Sequence, residues 1–236
     1  MPRGLVIETS GRLGSIAITE AGRVIAEDSF AHGLKHAAEM VPRIDALLKA
    51  AGWLPADVRE IYVSAGPGSF TGLRIGITLA KTLAFATGAK IVAVPSAEVL
   101  ARNAPSEAQN VLIVLDAKRD QIFTARLHRD DPRATWKIVE PAHLDTLPAM
   151  LSRAPRPVHL IGEGISFHEK FLDRADSSVI VTSEDLWRPR PQAVAAIGFD
   201  LAREQLFTPL DSLTPIYIRK PEAEEKYEAA AGRVEN

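Results

Sequence analysis

The stretch Val63–Gly88, VSAGPGSFTGLRIGITLAKTLAFATG, places glycines, a proline, a serine and a threonine directly before a helix with few charges. A glycine-rich turn between a strand and a helix presents backbone N–H groups where the helix dipole favours an anion. The first question is therefore whether Gly66-Pro-Gly-Ser-Phe-Thr-Gly72 holds phosphate. It is not a Walker loop, because GxxxxGK[ST] is absent and no lysine follows the last glycine. Spaced G-x-G-x-x-x-G, it passes only loosely for a dinucleotide fingerprint, and the next strand ends Val92-Ala-Val-Pro95 without the acid that would hold a ribose. Two readings stand side by side. The loop is a tight turn that lets the helix approach the sheet, or it is an anion contact formed by Glu8, Gly66, Gly68, Ser69 and Thr71.

On the N-terminal side, Leu5–Thr9, Gly14–Thr19 and Arg23–Phe30 read as short strands joined by tight turns. Leu34–Ala51 has apolar residues at helical spacing, and Pro42 is expected to kink it. Glu60–Ser64 is a strand, and the helix behind the glycine loop runs from about Leu73 to Gly88. Lys90–Val94 is another strand, and Pro95-Ser96 opens a short helix. After a linker at Ala104–Gln109 the order repeats. Strands at Val111–Asp116, Gln121–Leu127 and Thr135–Glu140 lead to a helix near His143–Arg153 and a strand at Val158–Ile161. Then come a helix at Phe167–Asp173, a strand at Ser178–Val181 and a long helix from Pro191 to Leu206. Both halves read βββαβα, and each first strand ends in an acid, Glu8 or Asp116, before a hairpin-like turn. The pattern predicts an α/β chain of two βββαβα lobes, the plan of the actin, hexokinase and Hsp70 (ASKHA) superfamily. The lobes are expected at 1–104 and 105–221, with helix 191–206 a candidate to pack back on the first. The segment 222–236 reads as a charged, disordered tail.

The chain has 236 residues, 46% hydrophobic and 25% charged, which is ample for a core. A net charge of −2 gives no sign of an autonomous nucleic-acid binder. With no cysteine, thiolate catalysis, disulfides and cysteine-ligated zinc are excluded. No apolar run approaches ~20 residues, so a soluble, cytoplasmic protein without membrane partners is expected. His32 and His36 are four apart, but Gly33 stands where a zincin has glutamate and no third ligand is evident. No G-x-S-x-G elbow exists, since Phe70 occupies the central position of Gly68–Gly72. Glu8 and Asp116 either hold magnesium, as in a working kinase of this plan, or cap their turns. Gly162-Glu-Gly164 is neither a phosphate loop nor an adenosine pocket. No catalytic residue and no metal ligand is expected.

GPGSFTGLRIG (Gly66–Gly76), followed by an alanine-rich helix, resembles the TsaB (YeaZ) family of bacterial tRNA threonylcarbamoyladenosine factors. LVIETS (Leu5–Ser10), HAAEMVPRIDALL (His36–Leu48), VPSAEVLA (Val94–Ala101), LDAKRDQIF (Leu115–Phe123) and PIYIRKP (Pro215–Pro221) extend the resemblance along most of the chain. Glu8 departs from it, standing where the family is expected to show aspartate. The resemblance implies a role in t6A modification of adenosine 37 in tRNA, beside the transferase TsaD. That sister carries a His-x-x-x-His metal motif soon after the equivalent helix, where this chain reads VAVPSAEVLA without histidine. A non-catalytic partner of TsaD is therefore implied, with the ATPase TsaE joining the assembly and tRNA met only through the complex. A homodimer is expected when the chain is alone. No cofactor is expected to bind tightly, with ATP or ADP only at the assembled complex. The alternatives are a nucleotide-dependent small kinase or ATPase of the same fold and, remotely, a peptidase.

A helical wheel of Leu73–Ala86 gathers Ile75, Gly76, Leu79, Leu83 and Ala86 on one side, assigned to the sheet. The opposite side carries Arg74, Ile77, Thr78, Lys81 and Phe85, which is too apolar for a solvated face. On Leu34–Ala51 the same construction buries Met40, Ile44 and Leu48 and turns Glu39, Arg43, Ala46 and Ala50 outward. The predicted partner face is thus Glu39, Arg43, Ala46, Arg74, Ile77, Thr78, Lys81 and Phe85.

Overall fold

The computed structural model describes residues 1–31 and 36–218; of residues 31 and 36–38 only the backbone is described. His32, the side chain of His36 and the tail 222–236 lie outside the described residues. The first lobe opens with strands β1 (Arg3–Glu8), β2 (Leu13–Glu20) and β3 (Arg23–Ala31). Helix α1 (His36–Ala50), strand β4 (Glu60–Gly66), helix α2 (Phe70–Thr87), strand β5 (Lys90–Pro95) and helix α3 (Ser96–Ala101) follow. The second lobe repeats the order with β6 (Asn110–Asp116), β7 (Ile122–His128), β8 (Lys137–Asp145), α4 (Leu147–Arg153), β9 (Val158–Ile161), α5 (Ile165–His168), β10 (Val179–Val181) and α6 (Pro191–Arg203). The sheets run β3-β2-β1-β4-β5 and β8-β7-β6-β9-β10, the same order position for position. Hairpins pair antiparallel, and β1–β4, β4–β5, β6–β9 and β9–β10 pair parallel. Each lobe is thus a βββαβα unit extended by one further strand and helix.

Leu5-Val6-Ile7 explains the layering. Successive strand side chains point to opposite faces, and a run of apolar residues buries both. Leu5 and Ile7, with Ile16, Ile18, Ile61 and Val63, face α1 and α2. Val6, Ala17, Tyr62, Val92 and Val94 face α6 through Ala193, Val194, Ala195 and Ile197. Helix α3 makes the reciprocal crossing, packing Ala97, Leu100 and Ala101 on Val111, Ile113, Ala125 and Leu127 of the second sheet. Residues 204–218 stay with the first lobe, where Thr208 and Ile216 donate backbone N–H groups to Ile91 and Ala65 at 2.8 and 2.7 Å. Leu213 enters that lobe's core.

Several boundaries differ from the sequence reading, each for a local reason. Helix α2 begins at Phe70, not Leu73, because Ser69 caps it, accepting from Gly72 N at 3.2 Å. His143 belongs to β8, and α4 starts only after the Thr146 cap. The helix expected at Phe167–Asp173 is the single turn α5 and a 3-10 turn at Glu169–Phe171. Helix α6 stops at Arg203, short of Leu206, where Gln205 turns to φ 61°. Pro42 lies exposed within α1, and the helix continues through it.

The phase expected for α2 is corrected. Ile77 is 4% exposed and sits in the core, so it does not face a partner. Leu73, Gly76, Ala80 and Ala84 accompany it inward, while Ile75, Leu79 and Leu83 flank the stripe half-buried. Closeness decides this. A Cβ on Gly76 would lie 2.3 Å from Thr9 Oγ1, so the helix rides close against the end of β1, and Ile75, Leu79 and Leu83 take the sides.

Candidate functional site

The glycine loop connects to its surroundings through its own donors. Gly66 N–H donates to Ser96 Oγ at 3.2 Å, and Ser69 N–H donates to Ser10 O at 2.8 Å. A Cβ on Gly68 would stand 2.4 Å from that Ser10 carbonyl oxygen. The second lobe repeats the arrangement, with a Cβ on Gly164 falling 2.5 Å from Asp116 N. In both lobes a G-x-G turn after the parallel strand therefore presses on the backbone at or just beyond the strand-end acid. Gly66, Gly68 and Ser69 form a turn that seats α2, and Thr71 is exposed on its first turn.

Glu8 lies fully buried beneath this loop. Its Oε1 accepts from Ser10 N and Ser10 Oγ, each at 2.6 Å, and its Oε2 accepts from Ser64 Oγ. Burial pushes the carboxyl above its ordinary value, and the bonds from Ser10 and Ser64 oppose that only in part. The side chain ties β1, its turn and β4 together. Asp116 is more open, accepting from Lys118 N–H at 3.2 Å and pairing with the Lys118 ammonium at 3.2 Å. His168 Nε2 lies 3.4 Å away. Partial burial raises Asp116, but the Lys118 bonds and charge, with His168, outweigh it and hold the carboxyl below its usual value. Each acid accepts a backbone N–H of its own turn, Glu8 from Ser10 and Asp116 from Lys118. Among the described residues no group of three His, Cys, Asp or Glu side chains is arranged to hold a metal ion.

The face formed by α1 and α2 has a different character. Phe85 is 86% exposed and Val41 50%, with Ala46, Ala50, Thr78 and Ala86 also open. Leu47, Leu79 and Leu83 are half-buried beside them. Met40, Ile44 and Leu48 point inward, as α1's periodicity predicts. Four of the polar residues expected to face a partner, Glu39, Arg43, Arg74 and Lys81, are already engaged. Arg43 pairs with Asp28 at 2.7 Å and with Glu39 at 3.6 Å. Lys81 donates to Leu213 O at 3.1 Å. Arg74 lies over the Phe70 ring at 3.9 Å and donates to Tyr217 OH at 2.6 Å. Tyr217 was not expected on this face, and Val41, one of the apolar residues at helical spacing with Ile44 and Leu48, is exposed where they are buried. Tyr217 is 143 residues from Arg74, and no local pattern joins them.

A family model described as "TsaD: tRNA N6-adenosine threonylcarbamoyltransferase" matches residues 31–227. The tRNA threonylcarbamoyladenosine biosynthesis protein TsaB of Bacillus subtilis is 33% identical over 227 residues, covering 94% of this chain and 96% of that one. The Escherichia coli protein of the same description is 25% identical, covering 92% and 94%. YeaZ from Pseudomonas aeruginosa superposes with a TM-score of 0.74 at 25% identity, over 92% of this chain and all (100%) of that one. Matched along most of its length by that model and along nearly all of it by a relative a third identical, the chain belongs to the TsaB (YeaZ) family, within the wider family of the TsaD transferases.

Proposed function

We propose that this chain is the non-catalytic partner that stabilises and activates a TsaD-type transferase during threonylcarbamoylation of adenosine 37 in tRNA. The observation that carries this reading is the α1–α2 face, an apolar surface left open on a lobe whose glycine loop turns its Gly66 and Ser69 donors inward. Exposed apolar area of this kind marks contact surfaces. TsaD docks there, through Phe85, Thr78, Ala46 and the Glu39–Arg43 edge, and a second copy of the chain takes its place when TsaD is absent. A TsaE-type ATPase completes the assembly, ATP or ADP binds only at the assembled complex, and tRNA is reached through the complex in the cytoplasm. Reconstitution of t6A synthesis from purified components tests this. Product is expected only when this chain and TsaD are both present. Equal t6A yield without the chain, or transfer by the chain alone, overturns the reading.

A further inference from the structure

The lobes are joined in two unlike ways. On one side α3 is buried against the second sheet through Ala97, Leu100 and Ala101, and Asn103 Nδ2 donates to the carbonyls of Leu186 and Arg188 at 3.0 and 2.7 Å. That side is a packed apolar hinge. On the other side, where β1 and β6 end, the lobes meet through the β1–β2 turn. Arg12, in the β1–β2 turn, donates its backbone N–H to Glu163 Oε2 at 2.8 Å. The Arg12 guanidinium rests over the Phe167 ring, 4.6 Å from its centre. Glu163 faces Arg188 at 4.0 Å, and Pro189 lies against Gly11.

Phe167 is the informative residue. Helix α5 buries Ile165 and His168 in its own lobe and leaves Phe167 48% exposed, reaching to the opposite lobe. The Lys118 ammonium stands 5.9 Å from the centre of the same ring. It is held there by a turn in which Lys118, Arg119 and Asp120 all have positive φ, at 65°, 54° and 56°. Non-glycine residues adopt that conformation at a cost, so three in succession mark a turn whose side chains are placed by their surroundings.

We infer that Arg12, Glu163 and Phe167 form a latch that closes the crevice between the lobes and fixes the angle between them. The crevice is filled at its mouth by the chain's own side chains, and the lobes move as one body while the latch is made. When it is broken they swing about the α3 hinge, which remains packed. The inference concerns this chain alone, so its test separates it from the partner reading.

The protein has no cysteine, so a pair of spin labels can be placed without background. Ala56→Cys in the first lobe and Ala175→Cys in the second are both exposed positions. The parent latch is expected to give one narrow distance between the labels. Glu163→Ala with Phe167→Ala is expected to add a longer, broader population, whereas Glu163→Gln, which keeps the acceptor for Arg12 N–H, restores the narrow one. Phe167→Ala alone removes only an exposed ring and serves as the variant in which folding is not at issue. A broad distribution in the parent, or a narrow one unchanged in both alanine variants, overturns the latch.

Discussion

A carboxyl buried under a turn reports on pH. Glu8 has its folded-state value raised by burial, so over a window beginning near the ordinary glutamate value of about 4.3 the folded chain holds a proton that the unfolded chain releases. The folded state binding more protons makes stability fall as pH rises through that window, until the folded carboxyl ionises as well. Glu8→Gln removes the effect and keeps an acceptor for Ser10, while its amide N–H donates to Ser64 Oγ. Its stability relative to the parent is expected to increase from pH 4 towards neutrality, read from urea midpoints at each pH. Glu8→Ala instead strands the donors at Ser10 and Ser64, at roughly 1–3 kcal/mol. A parent and a Glu8→Gln curve of equal slope would show that Glu8 is not held this way. His159 works in the opposite direction. Burial lowers its value, so the unfolded chain gains the proton first and stability falls as pH drops below about 6.5. The sequence marks Glu8 as a strand-end acid, but its burial depends on Ser64, 56 positions away, which no local pattern reveals.

Helix α2 separates what periodicity tells from what packing decides. Its glycine stop and its scarcity of charge are legible in the sequence, because turn chemistry is local, although the helix starts at Phe70 rather than Leu73. Its rotation is not, because a wheel weighted by bulk assigns Leu79 and Leu83 to the sheet, whereas close contact selects Gly76, Ala80 and Ala84. Helix α1 lies under no such constraint, and its wheel reads correctly. The consequence is a pair of substitutions with opposite signatures. Ile77→Glu buries an unpaired charge in the core and is expected to cost several kcal/mol, abolishing the folded state or lowering its melting temperature steeply. Phe85→Glu is expected to leave melting within about 0.5 kcal/mol of the parent, as exposed changes do. It should weaken TsaD binding by about 2 kcal/mol or more, roughly 30-fold, if Phe85 anchors the contact. Calorimetry and a binding isotherm on the same samples decide both. Unchanged affinity in Phe85→Glu would place the contact elsewhere. In the loop before α2, Gly68→Val meets a backbone carbonyl that cannot yield and should cost about 1–3 kcal/mol, while Ser69→Ala loses a cap of about 1 kcal/mol.

The duplication of the whole molecule is legible from the order of strands and helices alone, since each unit carries its acid, its turn and its G-x-G. The exchange of final helices is harder to read. An amphipathic helix shows that it buries a face without saying against which sheet, and α6 is the next α-helix after the second lobe's last strand. Yet Ala193, Val194, Ala195 and Ile197 cover the face of the first sheet formed by Val6, Ala17, Tyr62, Val92 and Val94. Cutting the chain at residue 104, where composition suggests a linker, therefore removes one of that sheet's covering layers. It also removes Leu213 from the other layer's core and the backbone bonds from Thr208 and Ile216. Each fully buried large side chain is worth about 1.5–3 kcal/mol, so exposing Val6, Tyr62, Val92 and Val94 together costs about 6–12 kcal/mol, comparable to the ~5–15 kcal/mol that a whole domain has in hand. The fragment 1–104 is thus expected to aggregate or to lack fixed tertiary structure, with weak near-ultraviolet circular dichroism and rapid amide exchange in β1 and β4. A chain ending at Ile218 keeps every contact described and should melt cooperatively. Adding a peptide spanning 190–218 to the fragment should restore protection in β1 and β4, because that segment supplies the missing layer and the strap across Ile91 and Ala65. A fragment 1–104 that folds by itself, with protected amides and a cooperative transition, would show that the first lobe is complete without α6.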